Sequence, residues 1–132
     1  MQKIISRSLL ILIFTMTLST ALCSAQNFKF VDAEDTTGYY VDMDNVKIEG
    51  KEFISTTLAV VKANLNKMYV YDVRINLNEQ KYQIISSKIF EYDTRTLMET
   101  NERSRPYRPY APKSEMAELI NFILYGDEPQ EN

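Results

Sequence analysis

The sequence predicts an α+β fold: an antiparallel β-sheet meander of about six strands with a C-terminal α-helix packed on one face. Three stretches carry that expectation. Lys81 to Thr100, KYQIISSKIFEYDTRTLMET, reads as a long strand, a turn at Tyr92-Asp93-Thr94-Arg95 and a shorter return strand. From Tyr69 to Asn78 the chain alternates. Tyr69, Tyr71, Val73, Ile75 and Leu77 share one parity, and Val70, Asp72, Arg74, Asn76 and Asn78 the other. That period describes a strand with one face in the core and one in water. Near the end, Met116, Leu119, Ile120, Ile123 and Leu124 fall on a single helical stripe.

In chain order, Met1 to Arg7 is a short basic start, and Ser8 to Thr20 is an apolar run without charge. Cys23 and Ala25 then place small residues three and one before Gln26. This is the pattern of a cleaved secretory signal peptide over residues 1–25. The apolar run is short for a spanning helix, which needs about 20 apolar residues, so no transmembrane segment is expected in the mature chain. Cys23, the single cysteine, offers a second route, lipoprotein anchoring, but bulky Leu22 stands where such signals carry a small residue. The chain after it has no thiol and must be held together by its core.

Lys3 and Arg7 account for two of the 15 basic residues, so 13 remain against 18 acidic ones, a net charge of −5. That balance argues against nucleic acid as a partner.

The predicted sheet begins with short strands at Asn27–Val31 and Tyr39–Asp42, separated by a turn cluster at Glu34–Gly38. A further turn falls at Glu49-Gly50-Lys51. Phe53 to Lys62 is rich in β-branched residues and apolar on both parities near Leu58–Val61, the mark of a central strand. In the long strand Tyr82, Ile84, Phe90 and Tyr92 share parity while Ile85 and Ile89 take the other, with Ser86-Ser87 between, which suggests a bulge or a two-sided central position. Prolines 106, 109 and 112 are expected to break the ladder and impose an extended course. Ser114 is a natural N-cap, Glu115 and Glu118 suit the helix dipole, and Gly126 ends the helix. Such a short amphipathic helix must dock, and the face bearing Tyr69, Val73 and Ile75 is the expected seat.

No histidine is present, which removes imidazole bases, imidazole-activated nucleophiles and most zinc sites. Asp42, Asp44 and Asn45, and separately Asp32, Glu34 and Asp35, are the acidic clusters, but Lys47 stands where a calcium loop needs glycine. They read as solvated turn residues, and a carboxylate enzyme ranks third among the readings. No catalytic residue, metal site or cofactor is expected. The one segment with binding character is Arg103-Ser104-Arg105-Pro106-Tyr107-Arg108-Pro109-Tyr110. Arginine and tyrosine favour contacts, and proline pre-orders the backbone, so Arg103, Arg105, Tyr107, Arg108 and Tyr110 are the candidate binding residues. A solvated linker with its tyrosines packed down is the competing reading.

Phe28–Val31 before a turn, Tyr39-Tyr40-Val41-Asp42, the strand Tyr82–Phe90 leading into Tyr92-Asp93, and Pro112-x-Ser114 before an apolar helix ending Phe122-Ile123-Leu124 stand in an order that resembles the surface-adhesin protein E family of small exported bacterial proteins. The resemblance covers most of Gln26 to Tyr125. It implies a single domain, an antiparallel sheet with a C-terminal helix packed across it, over residues 26–126; residues 127–132, past the helix end at Gly126, are expected to be a disordered tail. It also implies a non-enzymatic binding role at the cell envelope or surface, with host extracellular matrix proteins as adhesin partners and a homodimer among the assemblies. A small periplasmic structural or inhibitory protein acting on the cell's own envelope is the alternative.

Overall fold

The computed structural model describes residues 27–126. The expected signal peptide, its Cys23 and the expected tail lie outside the described residues. The chain forms an eight-stranded sheet, all of its pairings antiparallel, and one helix. The strands are β1 (Phe28–Glu34), β2 (Thr37–Asp42), β3 (Lys47–Glu49), β4 (Phe53–Lys62), β5 (Lys67–Asn76), β6 (Lys81–Glu91), β7 (Leu97–Asn101) and β8 (Arg108–Pro109), and the helix is α1 (Glu115–Tyr125). The path across the sheet is β1-β2-β4-β5-β6-β7. β3 continues the row of β2 along β4, and β8 continues the row of β7 along β6. The strands thus number eight, in six rows. The two beyond the expected six are short segments that rejoin a row after an interruption. β4 is central, as its two-sided apolar pattern predicts.

The connections follow local chemistry. Asp42 is almost wholly buried, and its Oδ1 accepts from Asp44 N at 3.1 Å, capping the single turn Met43–Asn45 that separates β2 from β3. Gly50 takes φ 62° in the β3–β4 turn, where a side chain would be strained. Asn66, at φ 52°, closes the β4–β5 link and clasps the β6–β7 turn: its Nδ2 donates to Asp93 Oδ1 and its Oδ1 accepts from Asp93 N, both at 3.0 Å. Asn and Asp tolerate the left-handed region because their short side chains bond locally.

Three bulges shape the sheet. The extra residue is Val31 in β1, Ile85 in β6 and Met98 in β7. The first and last lie on outer rows, where bulges blunt an edge against pairing with another chain. The middle one switches parity within β6. Tyr82 and Ile84 pair with Ile75 and Val73 on the helix face, whereas Phe90 pairs with Met68 on the opposite face. The bulge suggested at Ser86-Ser87 is therefore real and sits one residue earlier.

On the helix face Val41, Ile54, Leu58, Val73 and Ile75 form the main core with Leu119, Ile120 and Ile123 of α1. Ser114 caps α1, its Oγ accepting from Ala117 N at 3.3 Å, and Gly126 at φ 69° ends it. Three details correct the sequence reading. The buried stripe of α1 includes Ala117 and leaves Leu124 exposed. The helix lies over β1 and β2, so Tyr69 falls outside its cluster. The opposite face is not all in water: Val70 is buried with Ala59, Val61 and Met68 beneath Phe28, Tyr40, Phe90 and Tyr92. A fourth concerns Pro109, which does pair, with Lys81. An outer row accepts proline because one side of its backbone needs no partner. Among the described residues no helix is long and apolar enough to cross a membrane.

Burying Leu119, Ile120 and Ile123 contributes roughly 1.5–3 kcal/mol each before entropy. Ile123→Asp therefore lowers stability by several kcal/mol, a large part of the roughly 5–15 kcal/mol available to a domain. Thermal melting followed by circular dichroism reads it; an unchanged midpoint would mean that α1 is not docked. Val70→Asp is expected to cost a comparable amount. A wild-type melt for that variant would return its face to the solvent.

Candidate ligand and partner site

α1 lies chiefly over β1 and β2 and leaves part of its face uncovered toward Tyr71, Tyr82 and Ile84 of β5 and β6. Residues 102–112 run along the edge of β6 as a strap. Arg105 N donates to Ile84 O at 2.9 Å, β8 pairs with Tyr82 and Lys81, and Tyr110 N donates to Gln80 O at 3.1 Å. Three prolines limit the strap to an extended course, and these bonds set its register.

Between strap, helix and sheet lies a cavity of about 390 Å³. Its floor is apolar: Leu58, Val60, Val73 and Ile84. Met116 and Leu119 form the helix wall, and Pro109 and Ala111 belong to the strap. Four phenols line it, from Tyr39, Tyr71, Tyr82 and Tyr110. Burial pushes the phenols of Tyr39, Tyr71 and Tyr110 above the usual range, so each holds its proton at neutral pH and can donate.

Charge is distributed unevenly around this cavity. Tyr39 is raised first by burial and then by the negative charges of Glu115, Glu34, Asp32 and Glu118. At Tyr71 the effect of burial is opposed by the positive charge of Arg105. Arg105 is half-buried, and its Nη2 reaches Ser87 Oγ at 3.4 Å. Ser87 pairs with Tyr71, so the guanidinium stands beside the Tyr71 end of the cavity.

The strap thus divides the five candidate binding residues. Arg105 and Tyr110 are half-buried, the first beside the cavity and the second lining it. Arg103, Tyr107 and Arg108 are exposed. Tyr110 packs against the main core. The cavity tyrosines carry no local motif: Tyr39, Tyr71, Tyr82 and Tyr110 come from β2, β5, β6 and the strap. A hint existed in their parity, since Tyr71 and Tyr82 alternate in step with core residues.

The acidic clusters behave differently from one another. Asp42 is consumed as a cap, with Asn27 N a second donor at 3.3 Å. Among the described residues no three His, Cys, Asp or Glu are arranged to hold a metal ion. Asp32 on β1 meets Glu118 on α1. The hydrogen bond between them lowers Asp32 below its usual value and raises Glu118 above its own. Of the two, Glu118 is therefore the one that takes up a proton first as pH falls, and in that form it donates to the Asp32 carboxylate. On the far face, Asp72 accepts from Thr57 Oγ1 and Ser86 Oγ, both at 2.7 Å, while Thr57 accepts from Asn45 Nδ2 at 2.7 Å. This row braces the ladder where the Ile85 bulge interrupts it.

No family model, curated protein or solved structure matches this chain.

The Asp32–Glu118 contact makes stability depend on pH in two opposed senses. Glu118, raised from 4.5, contributes fully below that value and loses its contribution as pH rises through the higher folded value. Asp32, lowered from 3.8, contributes above that value and loses it as pH falls. Above the raised value of Glu118 both are ionised and repel. Glu118→Gln keeps the hydrogen-bond donor without the charge. It should raise the melting temperature slightly at pH 7 and change it less near pH 4, with the difference shrinking in salt because the pair is solvent-exposed. Equal effects at both pH values would show that no proton is shared.

Proposed function

We propose that this chain is an exported, non-enzymatic binding protein of the bacterial cell envelope or surface, adhesin-like, that holds a protein partner through the outward residues of the strap. The observation that carries the reading is the strap's attachment to β6. Backbone bonds from Arg105 and Tyr110, with the β8 pairing between them, present Arg103, Tyr107 and Arg108 on ordered backbone. Arginine and tyrosine side chains on a pre-ordered segment lose less entropy on binding. On a chain with net acidic charge they form a local cationic patch that suits an acidic surface on the partner. The basic start, apolar run and small residues before Gln26 support export. The surface-adhesin resemblance supports a host matrix protein as the partner class.

The experiment compares capture of the purified domain by immobilised host matrix proteins with capture by the cell's own envelope fractions. The variant is Arg103→Glu with Arg108→Glu. Both positions are exposed, so folding is expected to be unchanged within about 0.5 kcal/mol. Matrix capture should fall at least tenfold at low salt, mainly through slower association, and the loss should narrow at higher salt. Capture by envelope fractions alone would favour the periplasmic structural or inhibitory role. Undiminished matrix capture by the folded variant would remove the strap from the interface.

A further inference from the structure

We propose that the cavity behind the strap is a binding site for a small amphipathic anion: an apolar body of aromatic size carrying one carboxylate or similar acidic group. This site is separate from the outward residues of the strap and stands whether or not they hold a partner.

The volume, about 390 Å³, falls within the usual range of small-molecule pockets. The lining has the composition of such pockets, a mostly apolar floor with few polar groups converging on it. Val60, Val73 and Ile84 offer an apolar bed, and Met116 on the helix side is an adaptable wall. The polar groups are mainly phenols, beside Ser114 and Glu115; a phenol O–H is a hydrogen-bond donor to an anion, and its ring is a flat surface for an aromatic body.

Two independent observations give the ligand its charge and its orientation. Arg105 is a half-buried cation, and among the described residues the one ion pair is Arg74 with Glu49, so Arg105 has no carboxylate partner. Its guanidinium reaches a neutral hydroxyl, that of Ser87, at 3.4 Å, a long contact for so strong a donor. Arg105 does not itself line the cavity but stands beside its Tyr71 edge, and a planar fork of donors there is suited to a carboxylate that reaches out from the apolar body. At the other end Glu115 lines the cavity, and Glu34, Asp32 and Glu118 add negative charge at Tyr39. That end repels an anion. The acidic group therefore lies toward Tyr71 and Arg105, with the apolar body over Val60 and Val73 toward the helix.

The strap positions this arrangement. The Arg105 N–H bond to Ile84 O fixes the backbone from which the guanidinium reaches Ser87, and Tyr110 N on Gln80 O fixes the backbone that carries the Tyr110 phenol to the cavity. The sequence feature read as partner-binding thus has two functions on two sides.

The test uses two probes of one shape, 2-naphthoate and 2-naphthylmethanol, titrated into the domain. The chain has no tryptophan and nine tyrosines, so quenching of tyrosine emission reports occupancy directly. Calorimetry gives the stoichiometry. Saturable one-to-one binding of 2-naphthoate is expected, with the alcohol weaker. Arg105→Met should weaken the naphthoate about tenfold and leave the alcohol unchanged, erasing the preference between them. Ala111→Phe places bulk at an exposed cavity position, where folding is tolerant, and should weaken both probes alike. Absence of saturable binding for both probes would overturn the proposal. So would naphthoate binding that is indifferent to both variants, since the probe would then lie on the apolar patch of the opposite face.

Discussion

A single short helix cannot cover a sheet of six rows, and most of this structure answers that mismatch. Eleven helical residues extend about 16 Å, while the outer rows stand about 24 Å apart with central strands longer still. α1 therefore seals one region, where Leu119, Ile120 and Ile123 meet Val41, Ile54 and Leu58. Beyond the helix the strap continues the outer row along β6, and its Pro109, Tyr110 and Ala111 border what the helix leaves uncovered. The cavity is the gap between these two coverings. The opposite face has no helix among the described residues, and it manages with large side chains leaning over small ones: Phe28, Tyr40, Phe90 and Tyr92 around Ala59, Val61, Met68 and Val70.

The Ile85 bulge reconciles the two faces. Without it, Tyr82, Ile84, Phe90 and Tyr92 would all stand on one side, and the far cluster would lose its aromatic cover. One inserted residue turns the later half of β6 over, sending Phe90 to Met68 while Ile89 joins Tyr69 on the helix face. The interruption of the ladder is braced by the Asn45–Thr57–Asp72–Ser86 row. Arg95, from the following turn, completes the far cluster by lying over the Tyr92 ring at 4.5 Å and reaching Met68 Sδ at 3.1 Å.

Fold class was readable because period and punctuation are local signals. Alternation marked β5, β-branched runs marked β4, and Ser114 and Gly126 bracketed α1. Burial of Val70 was not readable, since alternation states which residues share a face and not what covers it. The pairing of Pro109 depended on its row being outermost, which is a property of topology. The candidate site was half legible. The composition of residues 103–110 drew attention to the strap, but which of its side chains turn inward depends on registry with β6. The cavity tyrosines were visible only as strand residues, because their convergence joins four separate elements.

The order of the rows also has a temporal meaning. Every sheet pairing joins strands that are consecutive or separated by a single short strand, so the sheet can assemble from short closures. The helix is the exception: Ile120 joins a core whose Val41 lies roughly eighty positions earlier, the most expensive closure in the molecule. A chain built this way collects its strands early and locks late. Until α1 arrives, the face it seals presents Val41, Ile54 and Leu58 to the surroundings. The interval between those two events is when this protein is most exposed to association with its own kind, and the blunted outer rows at Val31 and Met98 are features that help it through that interval.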